Sequence, residues 1–330
     1  MTNRTAVTEN DDFADPQKRP RYVGIPTFMR TPYVEDPAAA GVDIGLIGVP
    51  FDGGVTNRTG TRHGPREVRN QSSLIRKVNQ ATGIAPFDLC RVADLGDAWV
   101  RSPFHLEDAL AEIEAHFRRV LDAGVMPLAC GGDHSISLPI LRALARDRGP
   151  VGMVHIDAHG DTGPKGYLGS DYHHGAPFSR AVEEGLLDPR RTIQIGVRGS
   201  VASLDVAHTG RELGMRVVPI EEFHEMGVKA AVAEARRVVG DDGPTYVSFD
   251  IDSLDPGFAP GTGTPEIGGL TPLEAQLLVR GLRGLNLVGA DMVEVSPPFD
   301  PSGVTALIGA NMMFELLCVL ADAVAARRRT

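Results

Sequence analysis

A mixed α/β fold on a parallel sheet is predicted by three observations. Apolar, β-branched runs alternate with segments of helical period along most of the chain. Several of those runs end in Asp or His beside Gly or Ser. No composition shift, low-complexity linker or internal repeat divides the sequence. Strand–helix alternation of this kind builds a parallel sheet with helices on both faces. The expected organisation is a loosely packed polar segment at 1–20, then a single α/β domain at 21–330.

Residues 1–20 are mixed in charge and lack the apolar core of a signal peptide. Arg21 to Arg30 is the first apolar and aromatic stretch, too short for an element of its own. It is expected to pack on the domain or on a neighbouring subunit. Asp43 to Val49 reads as a strand closed by the turn chemistry of Pro50-Phe51-Asp52-Gly53-Gly54. A Gly-rich basic loop at 56–65 then enters a helix reaching about Asn79, with Pro65 suited to its first turn. Strand Leu89 to Leu95 precedes a helix over Leu106 to Ala123, where Leu110, Ile113, Phe117 and Val120 recur at helical spacing. Further strands are expected at 125–130, 151–156, 192–197, 215–218, 245–250 and 285–293. Helices at 135–146, 176–186, 202–213, 228–239 and 272–283 separate them, and a last helix runs from Val304 to Arg327.

Composition narrows the function. The chain has 330 residues, 42% hydrophobic and 23% charged, as suits a soluble globular protein. No apolar run approaches the ~20 residues that cross a bilayer. A net charge of −10 argues against nucleic acid or an anionic membrane surface as partner, and it accommodates a cationic substrate. Cys90, Cys130 and Cys318 sit in apolar surroundings with no metal-binding spacing, and read as reduced residues of a cytoplasmic protein.

The chemistry concentrates at three strand ends. They are Gly131-Gly132-Asp133-His134-Ser135, Val154-His155-Ile156-Asp157-Ala158-His159-Gly160-Asp161 and Tyr246-Val247-Ser248-Phe249-Asp250-Ile251-Asp252. In an extended chain alternate side chains share a face, so Asp157, His159 and Asp161 are expected to converge. Open parallel sheets bind ligands beyond the carboxyl ends of their strands, where all three motifs fall. His134, Asp157, His159, Asp161, Asp250 and Asp252 make six candidate ligands, four of them anionic. Two divalent cations balance four carboxylates that would otherwise repel or take up protons. The set is too acidic for one structural zinc. Mixed carboxylate and imidazole donors suit Mn²⁺, with Ni²⁺, Co²⁺, Fe²⁺ or Zn²⁺ as replacements. Paired metals lower the pKa of a shared water, which makes hydrolysis the natural reaction class.

A lone Asp at a strand end is commonly a turn former or helix cap. Six such residues at three strand ends, with the i, i+2 spacing repeated, are harder to explain structurally. Asp133 reads as a loop residue. The run Asp250 to Asp255 faintly resembles a calcium loop, but Leu254 and Pro256 stand where that loop wants an oxygen ligand or Gly. An aspartyl-nucleophile reading of Asp250-Ile251-Asp252 leaves His134 and the Asp157–Asp161 triplet without a role.

The three motifs resemble the signatures of the ureohydrolase (arginase/agmatinase) family, over a span from about Arg21 to Ala325. The resemblance implies a three-layer α/β/α sandwich on a mostly parallel sheet and assembly into trimers or hexamers. It also implies a two-manganese centre that hydrolyses a guanidino group to urea and an amine. His134, Asp157, Asp161 and Asp250 match the ligands of one metal. Asp157, His159, Asp250 and Asp252 match those of the other, so that Asp157 and Asp250 bridge. His174, in His173-His174-Gly175, matches the family's proton-shuttling histidine, with His173 as the competing candidate. Glu294 resembles the glutamate that pairs with the guanidinium, which a planar carboxylate can do bidentately.

The far end of the substrate is less legible. The loop Thr162 to Gly169 does not look like the one that holds an α-amino acid, and Gly261-Thr262-Gly263-Thr264-Pro265-Glu266 resembles the agmatinase and guanidino-acid side of the family. Agmatine or a linear guanidino acid such as 4-guanidinobutyrate is therefore expected. Arg198 or Lys165 is a candidate to meet a carboxylate tail, and Tyr167 to cover a short substrate. Gly160 and Gly163 depart from the commoner pattern in a way that widens the pocket. Three alternatives stand: a hydrolase of a small substituted guanidine or biguanide, a weakly active partner subunit of a hetero-oligomer, and a zinc-dependent deacetylase on a similar sheet.

Overall fold

The computed structural model describes residues 20–329, so the expectation for 1–20 lies outside the described residues apart from Pro20. The described residues form one eight-stranded sheet: β1 Ile44–Val49, β2 Val92–Asp97, β3 Met126–Gly131, β4 Val151–Ile156, β5 Leu187–Val197, β6 Arg216–Pro219, β7 Thr245–Asp250 and β8 Leu287–Val293. Their order is β2-β1-β3-β8-β7-β4-β5-β6, and every neighbouring pair is parallel. β1, β3, β4, β7 and β8 are buried at every position, as strands covered on both faces must be. One apolar layer joins the sheet to Val68, Phe223, Leu278 and Leu316. The other joins it to Ile113, Phe117, Leu141 and Phe178. This is the expected α/β sandwich.

Each expected strand is present, although β5 begins at Leu187 instead of Thr192. The helix from Gly64 stops at Ser72, well short of Asn79. There the Ser72 hydroxyl donates back to the Arg69 carbonyl at 2.7 Å and accepts the Met29 N–H at 2.7 Å, ending the repeat. The same contact docks the N-terminal arm. Phe28 and Met29 are buried, the Phe28 N–H donates to Asp94 at 2.8 Å, and the Arg69 guanidinium lies 4.3 Å from the Phe28 ring centre. The helix expected at 228–239 starts at Ile220 and kinks at Gly227, whose φ is 75°.

The helix Val304–Arg327 corrects one reading. It is long and apolar enough, by length and composition, to cross a membrane. Its residues from Met312 to Ala321 are buried against the sheet, which makes it a core helix.

Candidate metal centre and substrate cleft

Gly132 follows β3 where no side chain fits, since a Cβ would stand 1.9 Å from the Phe51 carbonyl oxygen. The chain then makes a 3-10 turn over His134–Ile136. Asp133 clasps that turn, accepting from the Ser135 N–H at 2.9 Å and the Gly54 N–H at 2.8 Å. Its place is structural, as expected. The clasp aims the buried His134 ring at the other strand ends. His134 Nδ1 lies 2.9 Å from Asp161 Oδ2, 3.1 Å from Asp250 Oδ2 and 3.2 Å from Asp157 Oδ2.

The tautomer of His134 follows from its rear partner. Ser248 Oγ donates to Asp291 Oδ1 at 2.7 Å, so it accepts from His134 Nε2–H at 2.8 Å. Nδ1 then turns a lone pair toward three carboxylates and has no hydrogen-bond partner. A lone pair among anions is repulsive until a cation sits between them, and a ligand histidine held from behind has this arrangement. A second group adjoins the first: His159 Nδ1 lies 3.1 Å from Asp252 Oδ2 and 3.5 Å from Asp157 Oδ1. Asp157 offers one oxygen to each group, as a bridging carboxylate does. Asp250 turns Oδ2 toward His134 while its Oδ1 accepts the Asp252 N–H at 2.8 Å, much as Asp157 Oδ1 accepts the His159 N–H at 2.7 Å.

Charge makes the same case. Burial, then the Asp252 and Asp157 charges, push the Asp250 carboxyl well above the usual carboxylate range, and burial also raises Asp252. Burial would raise Asp157 too, but His155 and the hydrogen bonds around it hold that carboxyl well below its usual value. Burial opposes protonation of His134 and His159, yet their acidic neighbours raise both well above the usual histidine value. The cluster demands positive charge, and this donor set fits divalent cations.

Strand alternation is not what brings the triplet together. β4 ends at Ile156, and Asp161 has a left-handed φ of 48°. The loop folds its ligands inward. Several supporting residues were missed in the sequence. His155 Nε2 donates to Asp157 Oδ2 at 2.6 Å and takes a hydrogen bond from Gln194 Nε2 on Nδ1 at 3.2 Å. Its place two residues before Asp157, on the same face of the strand, was the available signal. Asp291 accepts from Ser248, from Tyr246 Oη at 2.8 Å and from Ser137 Oγ at 2.6 Å.

Glu294 follows β8 with a left-handed φ of 66°, which turns its carboxylate into the site. Oε1 accepts the His134 N–H at 2.8 Å and His174 Nδ1–H at 2.9 Å. Oε2 is buried with no partner, so one oxygen rather than two is free for a ligand. His174 Nε2 meets Thr56 Oγ1 at 2.8 Å. Burial disfavours its charged form, but the Glu294 charge and hydrogen bond outweigh this and raise it to about 9. For His173, burial and the His174 charge act together and lower it. Of the two, His174 is the one whose charged form its neighbours favour, although the Thr56 N–H also donates to its Nε2 at 3.2 Å.

A cleft of about 360 Å³ opens from Asp161, Asp250, Asp252 and Glu294 toward Tyr167 and Val201. Tyr167 lies against His173 with ring centres 5.0 Å apart. Arg198 lines the cleft but cannot meet a substrate carboxylate here. Its N–H groups are spent on the carbonyls of Gly196, Asp252, Ser253, Leu254, Glu266 and Ile267, at 2.7–3.3 Å. Lys165 is paired with Glu183 at 2.9 Å, on the surface.

An eight-stranded parallel sheet with a buried His/Asp cluster fit for divalent metals at its carboxyl ends is the architecture of a metal-dependent ureohydrolase. The chain belongs to the arginase family, whose model matches residues 42–318. It is 64% identical over 311 residues to guanidinopropionase of Pseudomonas aeruginosa, covering 94% of this chain and 96% of that protein. It is 50% identical over 302 residues to guanidinobutyrase of the same organism, covering 91% of this chain and 94% of that one. Among solved structures, proclavaminate amidinohydrolase of Streptomyces clavuligerus superposes with a TM-score of 0.87 at 44% identity, over 92% of this chain and 99% of that one.

Proposed function

We propose that this chain hydrolyses a linear guanidino compound to urea and an amine. The observation that carries the reading is Glu294 Oε2, a buried carboxylate oxygen without a partner beside the metal cluster. A guanidinium N–H is the donor it suits, and an anionic acceptor outweighs a neutral one. In the reaction, water gives its oxygen to the guanidino carbon, the bond from that carbon to the tail nitrogen breaks, and the amine departs with a proton. His174, raised to about 9, is placed to supply that proton. His134, Asp157, Asp161 and Asp250 are the proposed ligands of one ion, and Asp157, His159, Asp250 and Asp252 those of the other, with Asp157 and Asp250 shared. When bound, two divalent ions make water acidic enough to act as a nucleophile near neutral pH. Manganese is the first candidate for this donor set, with Ni²⁺, Co²⁺, Fe²⁺ and Zn²⁺ as replacements.

The names of the two bacterial relatives, guanidinopropionase and guanidinobutyrase, support a linear guanidino substrate. Exposed Tyr22, Ile25, Trp99 and Phe104 support self-association, and three buried free cysteines suit a cytoplasmic setting. The test is urea release by protein loaded separately with Mn²⁺ and Ni²⁺. Urea from a guanidine with full metal content bears the reading out. A metal-replete protein that releases none from any guanidine overturns it.

A further inference from the structure

One wall of the cleft is neutral. It is formed by Val201, Ala202, Val206, Ala207 and Val217, with Gly210 between them. Among the described residues lining the cleft, Arg198 is the only Lys or Arg, and its donors already have carbonyl acceptors. Lys165, the other candidate for a carboxylate tail, is absent from the lining. Tyr167, Thr162, Gln194 and Ser200 add polar groups but no charge.

Gly160 extends this wall toward the metal ligands. Its φ is not left-handed, and a Cβ there would meet Thr162 Oγ1 at 3.3 Å and Gln194 Oε1 at 3.7 Å. A Cβ there needs the Thr162 side chain to give by a few tenths of an ångström, so the glycine relieves a close contact beside the cleft. Gly163 is different, since a Cβ would stand 2.6 Å from the Gly175 carbonyl oxygen. Its glycine is required by the close approach of the backbone.

Resting on the ureohydrolase reading, we infer that the site prefers a guanidine whose far end is a short uncharged alkyl group, straight or branched, over one ending in a carboxylate. A carboxylate placed against this wall gains no cation, and the Val201 and Val206 side chains, 49% and 40% exposed, offer it no hydrogen-bond donor. An alkyl group gains by burial, by about fourfold in kcat/KM for each methylene enclosed.

The experiment compares N-propylguanidine, N,N-dimethylguanidine, 3-guanidinopropionate, 4-guanidinobutyrate and agmatine on one metal-loaded preparation, by urea release. At least tenfold higher kcat/KM for an alkylguanidine than for either guanidino acid is the expected result. Equal values, or a preference for a guanidino acid, overturn the inference and leave the ureohydrolase reading standing. If no compound yields urea, that reading fails, and thermal shift of the metal-loaded protein decides the tail question. Greater stabilisation by N-propylguanidine than by 3-guanidinopropionate upholds the neutral wall, and the reverse overturns it. Val206→Lys supplies the missing cation on a helix face that is already 40% exposed. It should move the preference at least tenfold toward the guanidino acids, and an unmoved preference counts against this wall as the tail site.

Discussion

His134 and Ser248 are joined by one hydrogen bond of 2.8 Å, from Nε2–H to Oγ, and that bond decides which ring nitrogen faces the carboxylates. Ser248 can only accept there because its own proton goes to Asp291. Ser248→Ala and Asp291→Asn should each weaken metal binding about 10–100-fold while the sheet stays folded. Metal titration with circular dichroism checks both halves. Unchanged affinity in a folded variant would remove the rear partner from the account.

Glu294→Gln keeps an acceptor for the His134 N–H but removes the anion offered to the guanidinium. Loss of a charge-assisted hydrogen bond should lower kcat/KM about 10- to 100-fold. Metal content should be unchanged, because Glu294 is not among the proposed ligands. Metal loss in this variant would instead place the carboxylate in the metal centre.

His174 gives a pH signature. Its value of about 9 lies above the usual 6.5, so the pair with Glu294 stabilises fully below about pH 6.5, and that contribution fades as pH rises through 9. In metal-free protein, His174→Gln should therefore lower Tm more at pH 6 than at pH 10. In metal-loaded protein the same variant should lose about 10²–10⁴ in kcat with its metals retained. An equal Tm loss at both pH values would break the ion-pair account.

Arg198→Lys tests what the guanidinium does. Lysine has three donors and no fork, so some of the carbonyls now satisfied at 252–254 and 266–267 would lose their partner. A stability loss of about 2 kcal/mol or more is expected from denaturant titration. The kcat/KM ratio between 4-guanidinobutyrate and agmatine should not move. A selective loss on the acid would restore Arg198 as a tail contact.

The strands were legible because apolar runs ended by turn residues carry their own signal, and the ligands were legible because they stand at the ends of those runs. What supports the ligands was not. Ser248 and Asp291 meet because β7 and β8 pair in that register, and no local pattern states which strands are neighbours. Arg198 looked like a free charge since the carbonyls that consume it lie on other segments. The left-handed turns at Asp161 and Glu294 left no mark in the sequence, yet they aim both carboxylates. The helix at Gly64 ended early through a serine contact with Met29, a partner distant in the chain.

The strand order has a consequence for how the molecule is made. β8, the last strand synthesised, lies between β3 and β7, so those two become near neighbours only once it is inserted. A nascent chain that has passed residue 252 already holds every proposed ligand, but the frame that brings His134 to Asp250 is not closed. The ligands that follow β4 and β7 can meet earlier, because those strands pair directly, so it is the place of His134 among them that waits for β8.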